Sequence, residues 1–175
     1  MNKDFVKDYE KKINKKYMPI LSWLRLLKYH DLKYLYYFRK SQNKFFKSYY
    51  KWKCEKYGRK YGIEINSNAK IGAPIELTHA YNITINGKAV IGNNVVIFKG
   101  VTIGSIRSGK KAEVPTIGNN VVLCTNCFLC GNIHIGNNIL IAANSFVNFD
   151  VPDNSIVIGN PGIIHNNNSH ITDYL

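Results

Sequence analysis

Apolar positions in the second half of the chain recur with a period of six residues. Two steps are longer, eight residues from Leu77 to Ile85 and fourteen from Ile103 to Ile117, so two and eight residues are inserted there. The repeat is carried by Ile65, Ile71, Leu77, Ile85, Ile91, Ile97, Ile103, Ile117, Leu123, Leu129, Ile135, Ile141 and Val147. A six-residue period fits neither an α-helix nor an alternating strand. It predicts a parallel β-helix, in which three short strands and their corners form one triangular coil, with Gly and Asn at corners that need a positive φ.

The first 62 residues have the pattern of helices instead. Phe5 to Lys16 is predicted to be a short charged helix that ends near Met18-Pro19, because a residue before proline avoids the helical region. Leucines spaced three to five residues apart predict a second helix from Ile20 to about Arg39, and a third is expected over Asn43–Tyr57. We therefore expect a small α-helical domain over residues 1–62, a β-helix domain over 63–165 and a polar tail over 166–175.

Positive charge is concentrated in the helical half. Residues 1–62 contain 18 of the 24 Lys and Arg, 5 of the 11 Asp and Glu and ten of the twelve tyrosines, so this half carries the whole net charge of +13. Such helices are either packed helices with solvated lysines or a face held against anionic lipid or an anionic polymer. A nucleic-acid-binding module without catalysis is an alternative, but no nucleic-acid motif accompanies the lysines, so no nucleic-acid partner is expected.

Cellular location is indicated by what the sequence lacks. No apolar run approaches the length of a membrane span, and the charged N-terminus does not resemble a signal peptide. A cytoplasmic protein is predicted, with peripheral contact to the inner face of the membrane as an option for the basic helices.

Three cysteines stand at equal spacing, Cys124, Cys127 and Cys130, as at the start of a zinc or iron–sulfur segment. In the six-residue register, Cys127 occupies an inward position, while Cys124 and Cys130 follow apolar anchors on successive faces of the coil. Thiols arranged in this way do not converge on one ion, and no metal site is expected.

At residues 60–165 the chain resembles the hexapeptide-repeat acyltransferases, specifically the serine acetyltransferase-like family. The matching residues are IEINSNAKIGAPIELTHAYNITINGKAVIGNNVVIFKGVTIG and a tail with Asp150-Val151-Pro152 and Gly159-Asn160-Pro161-Gly162, in which Gly162 replaces the usual Ala. The resemblance implies a left-handed β-helix, acetyl-CoA as cosubstrate without a metal, and a homotrimer with its sites at subunit interfaces.

The family's catalytic pair has counterparts in this sequence. His79 occupies the position of the catalytic His, and Glu64 lies fifteen residues before it, where the family has Asp. The imidazole would remove a proton from the acceptor hydroxyl, and the carboxylate would fix its tautomer. Fifteen residues is close to one coil, so we expect the two side chains on neighbouring strands about 4.8 Å apart. Two extra residues just after His79 are expected to displace it outward from the surface of the β-helix.

The resemblance also implies where CoA and the acceptor would bind. Small residues would let the pantetheine arm approach, and two lysines of the long insertion would meet CoA phosphates. These cofactor-binding candidates are Gly104, Ser105, Lys110, Lys111, Ala142, Ala143 and Gly159, and the acceptor-binding candidates are Thr78 and Glu113.

Two departures from the family concern the acceptor. Thr78 stands where serine acetyltransferases carry an Asp that holds the substrate amine, and Glu113-Val114-Pro115 replaces an Arg-His pair before a Pro. With both ionic contacts removed, an uncharged hydroxyl is expected to be the acceptor. Family members of this kind commonly act in capsule, lipopolysaccharide or exopolysaccharide synthesis, so the resemblance implies O-acetylation of a sugar in a surface polysaccharide, with serine O-acetylation as the alternative.

Overall fold

Helices precede strands in the part of the chain that the computed structural model describes, which is residues 2–43, 45–108 and 113–166. The helices are α1 (Lys3–Ile13), α2 (Pro19–Leu26), α3 (His30–Ser41) and α4 (Lys47–Tyr61). The strands are β1 (Glu64–Ile65), β2 (Lys70–Ile71), β3 (Ile75–Thr78), β4 (Thr84–Ile85), β5 (Val90–Ile91), β6 (Val95–Phe98), β7 (Thr102–Gly104), β8 (Thr116–Ile117), β9 (Val121–Leu123), β10 (Phe128–Cys130), β11 (His134–Ile135), β12 (Ile139–Ile141), β13 (Phe146–Val147), β14 (Ser155–Ile158) and β15 (Ile163–Asn166).

The strands form a parallel β-helix with three faces. The sheet orders are β1-β4-β7-β10-β13 (the first face), β2-β5-β8-β11 (the second face) and β3-β6-β9-β12-β14-β15 (the third face), so every third strand returns to the same face. All pairings are parallel except that of β14 with β15. The thirteen predicted anchor positions are all buried, with exposed fractions of 8% or less. The six-residue period is therefore confirmed as the repeat of a β-helix.

Asparagines form ladders at the corners. Asn94, Asn120, Asn138 and Asn154 stand one above another, each with a φ between 55° and 57°. Each side-chain amide donates to the next asparagine's Oδ1, at 2.9, 3.0 and 3.0 Å. Asn accepts the left-handed conformation more readily than most residues and offers a side chain that pairs with its neighbour. The predicted placement of Asn at corners that need a positive φ is confirmed.

The second predicted helix is in fact two. Helix α2 ends at Leu26, and Tyr29, with φ −102° and ψ 101°, precedes α3. The leucines do not share one buried face either, since Leu32 is buried while Leu24 and Leu27 are 56% and 71% exposed. The change of direction brings the first residue of α3 against the β-helix. Leucine spacing alone could not locate it, because no Gly or Pro marks the break.

A buried ion pair joins the helices to the first coil. Arg39 of α3 is 1% exposed and donates to both carboxylate oxygens of Asp8 of α1, at 2.8 and 3.1 Å. It also donates to the carbonyl oxygens of Ile71 and Gly72, both at 2.6 Å. Asp8 accepts a further bond from the Ile75 amide at 2.9 Å. One guanidinium therefore links two helices to a corner of the β-helix.

The ends of the predicted domains are only partly described. Most of the polar tail predicted over 166–175 lies outside the described residues, and the boundary at residue 62 stays a prediction. Among the helices of the described residues, none is long and apolar enough to cross a membrane.

Candidate active site

His79 lies on an extension of the corner between the third and first faces. Thr78 pairs with Phe98, and Thr84 pairs with Thr102. Five residues, 79–83, thus connect β3 to β4, whereas three, 99–101, connect the equivalent strands of the next coil. The Gly100 amide donates to the Tyr81 carbonyl, so Tyr81 is in the position of the regular corner. The two extra residues are therefore His79 and Ala80, rather than two residues after His79.

The backbone of His79 is in an uncommon conformation. Its φ is 49°, in the left-handed region that is uncommon for non-glycine residues and that His, Asn and Asp adopt more often than the others, and its side chain is exposed. Ala80 beside it is fully buried. Ala80 is thus packed inside while the His79 side chain is exposed, where it can reach the proton of a substrate bound at the surface.

Glu64 lies near the same corner, but not where the sequence analysis expected it. It is the first residue of β1, is exposed, and stacks on Thr84, twenty residues later. The expectation that Glu64 and His79 stand on neighbouring strands was wrong, because the insertion lengthens this coil and leaves His79 at the corner before β4. Among the described residues, no hydrogen bond joins the two side chains.

The long insertion lies at a different corner. Gly104 ends β7, and Ile106 and Glu113 exchange two backbone hydrogen bonds of 3.1 Å that close the base of the loop. Gly104 and Ser105 line an outer groove of about 560 Å³ together with Glu64. Glu113 is exposed and has a φ of 131°. The structure thus brings Gly104 and Ser105 to Glu64, while Lys110 and Lys111 lie outside the described residues.

The remaining cofactor-binding candidates share the corner of His79. Ala142 and Ala143 follow β12, where the chain turns toward the first face, and Gly159 follows β14, where the chain reverses into β15 of the third face. The Ala142 amide donates to the Val157 carbonyl at 2.8 Å, and the Gly159 amide to the Ser145 hydroxyl at 3.0 Å. This edge therefore presents small residues after β12 and β14, the last two parallel strands of the third face.

A polar cluster beside His79 was not predicted. Thr78 donates to the carboxylate of Glu76 at 3.1 Å. Lys12 of α1 contacts the same carboxylate at 3.1 Å and Asp31 of α3 at 3.2 Å. Burial lowers the pKa of Lys12, but the two carboxylates outweigh it and raise the pKa overall. The residues lie far apart in sequence, so no local signal could have found the cluster.

The cysteines occupy the positions that the register predicts. Cys127 is fully buried, and Cys124 is half-buried at a corner. Cys130, which follows the anchor Leu129, ends β10 beside Gly104 and is only 7% exposed. Burial raises the pKa of Cys127 and of Cys124, which keeps both as neutral thiols.

Comparisons with known proteins point in one direction. The serine acetyltransferase of Staphylococcus aureus (strain Mu50) is 41% identical over 103 residues, 59% of this chain and 48% of that protein, and that of Staphylococcus epidermidis gives the same values. The serine acetyltransferase of Neisseria gonorrhoeae in complex with serine superposes with a TM-score of 0.78 at 28% identity, covering 93% of this chain and 68% of that one. The soybean enzyme complexed with serine gives 0.77 at 25% identity.

The chain shares the hexapeptide-repeat fold of the serine acetyltransferases. It spans about half the length of the curated staphylococcal serine acetyltransferases that it matches. A scan against models of protein families found no match.

The acceptor predicted from the sequence is wrong. The relatives and structures reported above are named serine acetyltransferases, not polysaccharide acetyltransferases. The prediction considered only two positions. Thr78 is not a carboxylate, but the carboxylate of Glu76 lies 3.1 Å from its hydroxyl. Val114 is not basic, but Arg107 is exposed in the same loop. A carboxylate paired with Lys12 therefore lies beside Thr78, and a guanidinium lies in the same loop as Val114.

Proposed function

We propose that this chain is a serine O-acetyltransferase that takes its acetyl group from acetyl-CoA. The observation that carries the proposal is His79, exposed on a two-residue extension with a left-handed backbone, in a chain that superposes on serine acetyltransferases over 93% of its length. Strained backbone at an exposed titratable residue is typical of functional sites.

In this mechanism His79 acts as general base and then as general acid. Its neutral imidazole takes the proton of the serine hydroxyl as the oxygen attacks the thioester carbonyl. The tetrahedral intermediate expels CoA as a thiolate, and protonated His79 returns the proton to that sulfur. The products are O-acetylserine and CoA. Glu64, which stacks on Thr84 of the strand after His79, would orient the imidazole and stabilise its charged form.

CoA would follow the edge on which His79 lies. A structure of a serine acetyltransferase in complex with CoA superposes with a TM-score of 0.76 at 25% identity. Ala142, Ala143 and Gly159 offer a narrow, small-residue path on this edge, and Gly104 and Ser105 offer a second surface at another corner. These two surfaces lie at different corners of the same chain. A complete CoA site would therefore combine the first surface of one chain with the second surface of a neighbouring chain. The homotrimer and the peripheral contact with anionic lipid stay predictions.

The test is acetyl-CoA consumption by the purified chain, followed through loss of thioester absorbance with L-serine as acceptor. His79→Ala should lower kcat by on the order of 10²- to 10⁴-fold, and Glu64→Gln should lower it less. His134→Ala removes an exposed histidine on the second face and serves as the matched control.

Acceptor analogues sharpen the assignment. Ethanolamine lacks the carboxylate of serine and 3-hydroxypropionate lacks the amine, so both should be poor acceptors if the site selects a zwitterion. Full turnover by His79→Ala would contradict the catalytic role. Absence of any serine-dependent turnover in the unmodified chain would contradict the proposed function.

A further inference from the structure

His30 contacts the backbone that carries His79. It is the first residue of α3, and its Nε2 lies 3.2 Å from the carbonyl oxygen of Ala80. A carbonyl oxygen only accepts, so the imidazole is the donor and Nε2 carries a hydrogen. The bond crosses fifty residues of sequence and ends on the second of the two extra residues of the corner.

The imidazole ring of His30 also packs against two aromatic rings. It stacks on Tyr61, with 4.4 Å between ring centroids and 23° between planes, and lies 4.9 Å from the ring of Tyr81. Tyr61 is the last residue of α4, and Tyr81 follows the extension directly. Two aromatic rings and one hydrogen bond therefore define where the imidazole sits, so it can act as a rigid support.

We propose that His30 is a positioning residue for His79. Its hydrogen bond holds the Ala80 carbonyl and thereby the left-handed backbone of His79, which aims the catalytic imidazole away from the wall. The expected effect on kcat rests on the proposed function, whereas the hydrogen bond between His30 and Ala80 is independent of it. Small misplacements of a reacting group cost on the order of 10²-fold in rate, so a support one residue away is expected to affect kcat.

Two substitutions separate the hydrogen bond from the packing. His30→Phe keeps a ring between Tyr61 and Tyr81 but has no donor. His30→Gln places an amide donor near the position of Nε2 and loses the stack. We expect His30→Phe to lower kcat by on the order of 10- to 100-fold with the KM for acetyl-CoA within about twofold, and His30→Gln to recover most of kcat. The matched control, His134→Phe, should leave kcat unchanged.

A second readout does not depend on turnover. Selective ¹³C labelling of the five histidines gives Cα and Cβ shifts that report backbone conformation, with the His79 signal assigned from His79→Ala. The His79 shifts should leave the left-handed range in His30→Phe and stay in it in His30→Gln. Unchanged His79 shifts in His30→Phe, or equal loss in both variants, would overturn the proposal. An unmodified chain that does not turn over serine but shows these shift changes would instead refute the proposed function alone.

Discussion

At the scale of single residues, Arg39 joins two helices to the β-helix. Its guanidinium is buried and donates to Asp8 and to two backbone carbonyls of the first coil. Burial raises the pKa of Asp8, against the lowering effect of Arg39 and of the Ile75 amide. Removing the guanidinium would therefore leave a carboxylate that is already costly to ionise without its partner.

We predict that Arg39→Met lowers the free energy of unfolding by about 3–5 kcal/mol, because an unpaired charge remains buried. Urea denaturation followed by far-UV circular dichroism measures this change. Lys40→Met, at the next residue, removes a cation that lies 5.8 Å from the ring of Tyr36, and is expected to cost about 1 kcal/mol or less. A loss of stability in Arg39→Met no larger than in Lys40→Met would contradict the structural role.

The sequence predicted some residues of the candidate site and could not have predicted others. His79 and Glu64 could be named because a short motif and a local insertion mark them. His30 and Lys12 could not, because their contacts with the same corner span fifty and more than sixty residues. Such contacts depend on where the helices dock, and no periodic pattern encodes that.

At the scale of elements, the strands were predictable and the helices only in outline. Each coil of the β-helix stacks on the one before it, so residues six apart occupy equivalent positions. The six-residue repeat therefore predicts which side chains face inward. The break between α2 and α3 has no such repeat and no Gly or Pro to mark it. Its position depends on α3 docking against the β-helix.

The joint between α3, α4 and β1 should make stability depend on pH. The Tyr34 hydroxyl of α3 accepts a hydrogen bond from the Ile65 amide at 3.1 Å, and Cys54 of α4 is 5% exposed beside it. Burial raises the pKa of Cys54 from 9.0 to about 11, against a lowering hydrogen bond from Tyr34. Burial raises the pKa of Tyr34 as well. Both groups are therefore held neutral in the folded protein.

The sign of the effect follows from the pKa of Cys54. Below pH 9 the thiol is protonated in both states, and its contribution to stability is complete. Between pH 9 and 11 the unfolded chain loses the proton first, so the free energy of unfolding should fall by roughly 2–3 kcal/mol. Urea denaturation across this range should show a shallower decline in Cys54→Ala than in the unmodified chain. Equal declines in the two proteins would contradict the prediction.

At the scale of the whole molecule, the two halves share one apolar core. Phe5, Leu35 and Phe38 from the helices belong to the same buried cluster as Ile75 and Val157 from the β-helix. Repeat proteins transmit stability through contacts between neighbouring units, and here the helices contact the first coil directly. The composition change near residue 62 separates two sequence patterns, but the packing joins them.

We therefore predict that the helical half and the β-helix unfold together. Both tryptophans, Trp23 and Trp52, lie in helices, so their fluorescence reports the helical half alone, whereas pulsed hydrogen exchange of the strand amides at each urea concentration, read by mass spectrometry, reports the β-helix. The two denaturation curves should coincide, and Arg39→Met should shift both by the same amount, because its bonds cross the junction. If the fluorescence transition came first, or if only that transition moved in Arg39→Met, the halves would be separate folding units that merely touch.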